Sequence, residues 1–412
     1  MHRLGIDFGT SNTAAAVMAG DRPYLIPVEP GQTTLPTSLF FDMDRKVTLY
    51  GNDANTALID GREGRFMRAL KSVLGTPLMR ERRQIGYDKL TLIEAVARFL
   101  STIRTRAEDA TGLRFDAALS GRPVQFHHKP ERNAQAQIDL AEAYALAGFK
   151  DVDFMFEPEA AAQTAGDMDT GALGLIIDIG GGTSDFSIFE RTDGATRIIT
   201  SHGVRVGGTD FDRALSLGHV MPLLGRGHDI RNEMGPGQNE APKAIFNDLA
   251  TWEKIAFLYT PETRRLAARF AKLGVDPVPF KRLHDVLELE LGHDIAFAVE
   301  AGKIAVNAPD TPQAAIALEL VEKGLTAPLT STDLTRALAD HTSKIAQAAQ
   351  TTLDQAGLTA DRIGSIVFVG GSSLMQTVTS AMEQMFPHAR QERTSAFTAV
   401  ADGLAMAADR RN

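Results

Sequence analysis

Residues Ile176–Phe189 read IIDIGGGTSDFSIF: an apolar run stops at three consecutive glycines, Gly180, Gly181 and Gly182, and resumes as a second apolar run. Two strands joined by a tight turn are the direct reading. Glycines suit such a turn. Three in succession also leave a concave row of backbone N–H groups that no β-carbon shields, a nest of the kind that takes phosphate. The neighbours bear on the choice. Asp178 precedes the glycines, Asp185 follows them and Thr183 adds a hydroxyl. Each carboxylate would repel a phosphate by about 4 kcal/mol at ~4 Å and an effective dielectric of ~20. A divalent cation therefore has to stand between them, and hard oxygen ligands with retained waters point to Mg²⁺.

The amino-terminal stretch Gly5–Met18, GIDFGTSNTAAAVM, repeats the pattern, with Asp7 ahead of Gly9, Thr10, Ser11 and Asn12. Alone, it reads as an Asx-stabilised turn. Beside Ile176–Phe189 it shares the apolar strand, the Asp, the glycine-containing turn, the Thr-Ser pair and the second strand, which is the mark of an internal duplication. The expectation is two related α/β halves whose phosphate loops close on one nucleotide.

Working outward, Leu4–Val28 reads as a β-meander, followed by short strands at SLFF and KVTLYG and a helix through Gly64–Gly75, GRFMRALKSVLG. Thr91–Gly112 is the clearest helix. Thr91 and Glu94 have capping-box spacing, Leu92, Val96, Phe99, Leu100 and Ile103 share one stripe, and Gly112 ends it. A strand at DAALSGRP and a helix over Glu131–Leu146 come next. A second meander starts at Gly174, and a helix opens at GGTDFDRAL. Residues 216–300 read as mostly helical, with RGHDIRNEMGPGQNEAP, Arg226–Pro242, as a loop. A strand at SIVFVGG and two helices close the chain. The domain expectation is lobe I over 1–170, with a small subdomain at about 36–110, and lobe II over 171–412, with a helical subdomain at about 216–300.

At 412 residues the chain is long for one core. A net charge of −9 argues against a general nucleic-acid binder. Absence of cysteine removes disulfides, thiolate catalysis and cysteine zinc sites. No apolar run reaches a membrane span, and the amino terminus lacks the pattern of a signal peptide. The expectation is a cytoplasmic monomer with no membrane partner. No G-x-x-x-x-G-K-[ST] occurs, and Asp7–Gly9 is not a kinase element because no H-R-D loop accompanies it. His127 and His128 are adjacent rather than spaced as helical metal ligands, and read as surface-loop residues.

GIDFGTSNT, EPEAAA (Glu157–Ala162), IIDIGGGTSDFSIF, GGTDFD (Gly207–Asp212) and IVFVGGSS (Ile366–Ser373) stand in the order found in the nucleotide-binding domain of the heat-shock protein 70 chaperones, which the whole chain resembles. The stretches GRPVQF, AGFKDVDFMFEPEAAA and VMPLLGRG look most like its shorter YegD-type branch. The resemblance implies an α/β, actin-like ATPase (ribonuclease H-like) fold with four subdomains around a nucleotide cleft, taking ATP or ADP with Mg²⁺. It implies that Asp7, Glu157, Asp178 and Asp185 surround the metal, mostly through its waters, and that Thr10, Ser11 and Asn12 face Gly180–Thr183 across the phosphates. Lys71, in LKSVLG, matches the family's catalytic lysine. Read unaided it is a solvated helix lysine. Gly207, Gly208 and Thr209 match the loop near the outer phosphates. Gly370, Gly371 and Ser372 match the adenosine-side loop, and Glu300 and Lys303 the ribose-contacting helix. Asp178 or Asp185 is the group that polarises the attacking water.

Two departures stand out. Where the family stacks arginine on adenine, this chain has Ile304 and Leu374, which gives up a cation–π contribution of about 0.5 to 2 kcal/mol. The peptide-binding domain and lid of the full-length chaperones are expected to be missing. The expected activity is slow ATP hydrolysis, with lobe closure read by a protein partner or client. The alternatives are a nucleotide-gated filament or binding protein and a small-molecule kinase of the same superfamily.

Overall fold

The structure is a computed structural model that describes residues 2–164, 169–192, 195–393 and 398–410. The chain divides into two compact units, Met1–Gly208 with Thr342–Asn412, and Thr209–His341. Beside a three-stranded sheet that includes Ser38–Asp42 and a small hairpin at Arg83–Leu90, two larger sheets organise the first unit. One is built from β1 (Arg3–Phe8), β2 (Asn12–Ala19), β3 (Arg22–Leu25), β4 (Thr34–Pro36), β5 (Ala117–Arg122) and β6 (Asp151–Phe156) in the order β6-β5-β1-β2-β3, with β4 also on β2. The other has β7 (Leu173–Ile179), β8 (Ser184–Thr192), β9 (Ala195–Val204), β10 (Ser365–Val369) and β11 (Arg390–Glu392) in the order β9-β8-β7-β10-β11.

The two sheets have the same plan. In each, three strands run as an antiparallel meander, and the first of them pairs on its other edge with a later parallel strand that pairs in turn with a second. The duplication read in the sequence is therefore a duplication of topology. Each glycine-bearing turn joins the first two strands of its meander. β7 is flanked on both edges and all seven of its residues are buried, so LGLIIDI shows no apolar–polar alternation, and its one charged residue, Asp178, is buried with the rest.

Helices cover the sheets. In α1 (Leu92–Thr111) the capping box between Thr91 and Glu94 is formed and Gly112 ends the helix at φ 69°. α2 (Pro130–Leu146) packs beside α1, and the short α3 (Glu157–Ala162) follows β6 directly. The last helix, α4 (Ala399–Asp409), lies against β1, β2 and α3. Leu119 of β5, Ile176 of β7, Val367 of β10, Ala160 and Ala161 of α3, and Val400 and Leu404 of α4 share one buried cluster, so the two sheets are clamped through these helices.

The second unit contains helices at Pro261–Leu273, Pro277–Glu288 and Gly292–Asn307 among others, and a hairpin pairing Gln313–Ala317 with Thr326–Thr330. Two local expectations are corrected. Gly64–Gly75 is not a helix: Gly64–Arg68 is a strand paired with Ser38–Asp42, and Ala69, at φ 61°, turns the chain into a single 3₁₀ turn over Leu70–Val73. Pairing with SLFFD overrides the local helix propensity. Arg226–Pro242 is not all loop, since Asp229–Arg231 and Gln238–Glu240 form a small hairpin around its Gly-Pro-Gly tip. Among the described residues no helix is long and apolar enough to cross a membrane.

The clamp makes one substitution informative. A β-carbon on Gly403 of α4 would lie 1.8 Å from the carbonyl oxygen of Ala160 in α3. Gly403→Ala is expected to lower the unfolding free energy by about 2 to 3 kcal/mol in urea titrations, against the gain of nearly 1 kcal/mol that helix propensity alone would give.

Candidate functional site

The β7–β8 turn is closed by a bond from Gly180 N–H to the Thr183 carbonyl at 3.0 Å. Antiparallel register places Asp178 directly opposite Asp185, so the two carboxylates are cross-strand neighbours on one face of the sheet. Like charges in that relation are unfavourable unless something compensates them.

Three further loops arrive at this turn. A β-carbon on Gly181 would stand 2.6 Å from Ser11 Oγ and 3.0 Å from Thr10 Cβ, so the β1–β2 turn is packed directly against the β7–β8 turn. A β-carbon on Gly207 would stand 2.6 Å from the Gly181 carbonyl carbon, and Gly208 N–H donates to the Gly180 carbonyl at 2.9 Å. One on Gly208 would stand 2.4 Å from Ser372 Oγ. Gly370, at φ 77°, has space for no β-carbon because the Ile179 carbonyl is 2.3 Å from where it would lie. Gly9, Thr10, Ser11, Asn12, Gly180 to Thr183, Gly207, Gly208 and Gly370 to Ser372 thus belong to adjoining or abutting turns of one unit. Leu374 ends the 3₁₀ turn that follows Gly370 and is exposed.

The charged side chains collect beneath these turns. Lys71 Nζ lies 2.6 Å from Glu157 Oε1, and both groups are buried. Glu157 is the first residue of α3, with Pro158 behind it. Gly121 lets Glu157 pass, since a β-carbon there would be 3.1 Å from its Cγ. Asp185 Oδ1 accepts a hydrogen bond from Val124 N–H at 2.8 Å. Asp7, near the end of β1, completes the group.

Electrostatics follow from that crowding. Burial, reinforced by the charge of Glu157, raises the Asp7 carboxyl to about 7. Burial and Glu157 raise Asp185 to about 8. Asp178 is pushed well above the carboxylate range by burial and by the charges of Glu157, Asp185 and Asp7. Burial alone would lower Lys71, but Glu157, Asp7 and Asp178 outweigh it and hold the ammonium above its ordinary value. Among the described residues no three acidic or imidazole side chains are arranged to hold a metal ion directly.

In the second unit, Lys303 is buried with Nζ 2.7 Å from Asp212, whose other oxygen accepts from Trp252 Nε1–H at 3.3 Å. Glu300 and Ile304 share its helix, Gly292–Asn307, with Ile304 on the exposed side, and Thr209 opens the unit. The pairing of Lys303 with Asp212 has no local signal, because the partners are far apart in sequence.

His127 corrects the surface-loop reading. It is buried, its Nε2–H donates to the Leu74 carbonyl, and its Nδ1 accepts from Arg205 Nη1–H at 2.8 Å. Only His128 is exposed. Arg205 Nη2–H also donates to the Ser72 carbonyl at 2.9 Å. Sequence reasoning passed over Arg205 altogether. Its position two residues before Gly207 was the one available hint.

A family model described as Hsp70 protein matches residues 81–233 and 293–410, more than half of the chain. The chain belongs to the Hsp70 family. The paired sheets accordingly have the actin-like ATPase fold. A Chaperone protein HscA homolog of Burkholderia lata is 34% identical over 242 residues, which cover 54% of this chain and 37% of that protein. Chaperone protein HscA homologs of Burkholderia orbicola and Burkholderia cenocepacia match with the same identity and coverage. The match thus spans little more than a third of each curated relative.

The carboxyl cluster fixes a pH dependence. With folded-state pKa values above the ordinary range, the native chain holds more protons than the unfolded chain between about pH 4 and 8. Stability of the ligand-free protein therefore increases as pH falls through that window and declines as pH rises through it. Asp185→Asn keeps an acceptor for Val124 and removes one such charge. At pH 8 it is expected to raise the unfolding free energy by at least about 1 kcal/mol and to flatten the slope, as read by urea titrations at several pH values.

Proposed function

We propose that this chain is a Mg²⁺-dependent ATP-binding protein that hydrolyses ATP slowly, chaperone-like in the manner of its family. Closure on nucleotide would be its output, read by a protein partner or client. One observation carries the reading: glycine-only contacts bring the β1–β2, β7–β8 and Gly207–Gly208 turns together above a set of carboxylates that holds the buried Lys71 ammonium.

In this reading the backbone N–H groups of Gly180 to Gly182, with Thr183, and the groups of Thr10, Ser11 and Asn12 hold the phosphates from two sides. Gly207, Gly208 and Thr209 take the outer phosphates, and Gly370, Gly371 and Ser372 the adenosine side. Glu300 and Lys303 would serve the ribose, with Ile304 and Leu374 as aliphatic neighbours of the base.

The donor set fits Mg²⁺. Asp7, Glu157, Asp178 and Asp185 are hard oxygen donors, and the cost of ionising the three aspartates together is the cost a divalent cation removes. Among the described residues no three side chains form a direct ligand set, which suits an ion that keeps most of its waters. When bound, the cation would neutralise charge on the phosphates and carboxylates.

The chain's own residues would do the rest by position and charge. Lys71, held by Glu157, would reach the terminal phosphate and orient the attacking water. Asp178 or Asp185 would accept a proton from that water.

Lys71→Ala is expected to lower single-turnover ATP hydrolysis by at least about 100-fold and to leave Mg²⁺-ATP affinity within a few-fold by calorimetry. Hydrolysis at the wild-type rate would overturn the hydrolytic assignment. Absence of calorimetric ATP binding by the wild-type protein in Mg²⁺ would overturn the nucleotide reading itself.

A further inference from the structure

The turn that carries Lys71 is not self-supporting. It begins at Ala69 in the left-handed region, φ 61°, which costs a residue with a β-carbon about 1 to 2 kcal/mol. Within the turn, the carbonyls of Lys71 and Val73 accept from the backbone N–H groups of Leu74 and Thr76. The alternate carbonyls, those of Ser72 and Leu74, are taken from outside, by Arg205 and His127 respectively. Arg205 and His127 are themselves joined, Nη1–H to Nδ1. The result is a two-residue strap across the back of the lysine turn.

Both ends of the strap run into the phosphate-facing turns. Arg205 lies two residues before Gly207, which abuts Gly181 with no room for a β-carbon. His127 lies in the loop whose Val124 N–H donates to Asp185, and that loop is pinned at Phe126 by a 2.7 Å bond from its N–H to Asn133 Oδ1. Guanidinium geometry matters, because one planar group serves the Ser72 carbonyl and the His127 ring at once, which a lysine ammonium in the same place does not reproduce.

The geometry points to Arg205, with His127, as a positioning residue that ties the Gly207–Gly208 turn to the Lys71 turn, so that the lysine is set in place by the same loop that meets the outer phosphates. This rests on Lys71 being the hydrolytic lysine. A displacement of about 1 Å is enough to cost a reaction up to 100-fold, so loosening the strap should slow chemistry and spare nucleotide binding.

The test is a mutant cycle in single-turnover hydrolysis, with Mg²⁺-ATP affinity measured by calorimetry on the same proteins. Arg205→Lys is expected to slow hydrolysis by about 10- to 100-fold and to change affinity by less than about three-fold. In the Lys71→Ala background it should change the residual rate by less than about two-fold, because the two residues act as one unit. His127→Asn, which gives up the Leu74 carbonyl but keeps an acceptor for Arg205, should fall between Arg205→Lys and wild type. It decides the question if Arg205→Lys fails to fold.

Wild-type hydrolysis in Arg205→Lys or, should that variant not fold, in His127→Asn overturns the strap. So does a loss that persists undiminished in the Lys71→Ala background. If Lys71→Ala itself hydrolyses normally, the hydrolytic reading falls and takes the strap with it. A normal Arg205→Lys beside a slow Lys71→Ala removes the strap alone.

Discussion

The site depends on the absence of side chains at Gly181 and Gly207. These two residues let three turns from different parts of the chain meet, Gly207 against the backbone of Gly181 and Gly181 against the side chains of Thr10 and Ser11, closer than any β-carbon permits. A row of N–H groups is useful to an anion only if nothing stands in front of it. Small residues here are therefore a requirement of contact between loops as much as of the turn each loop makes.

Gathering the turns concentrates charge below them. Asp7, Glu157, Asp178 and Asp185 lie around the buried Lys71 ammonium, with the Arg122 guanidinium near Glu157 and Asp185, and keeping that many acids out of water is costly. The sheet bears this strain because its core lies elsewhere, in the apolar layer shared by Leu119, Ile176, Val367 and Leu404. Three aspartates, Asp7, Asp178 and Asp185, that resist ionisation inside a stable frame are a common physical sign of a site that gains its counter-charge from a ligand.

How much of this was legible followed from how local each signal is. The two meanders, the duplication and the capped helix at Thr91 were readable because alternation, turn residues and capping act over a few neighbours. The Asp178–Asp185 pair was readable too, since a hairpin fixes its register. Lys71 looked like a solvated helix residue because the strand before it exists only through pairing with Ser38–Asp42, far upstream. His127 looked like a loop residue because both of its ring partners, Leu74 and Arg205, are remote in sequence. The small hairpin inside Arg226–Pro242 escaped because its strands are short and polar, with no apolar alternation to announce them.

The strand plan also bears on how the chain is made. β7 pairs along one edge with β8 within a few residues, but its other edge waits for β10, where Gly174–Asp178 meet Ser365–Val369. All of Thr209–His341 is synthesised between those two events. During that interval a largely apolar strand has one unpaired edge, a template for pairing with other chains. The segment that ends deepest in the finished sheet is thus the one most open to mispairing while the chain is nascent.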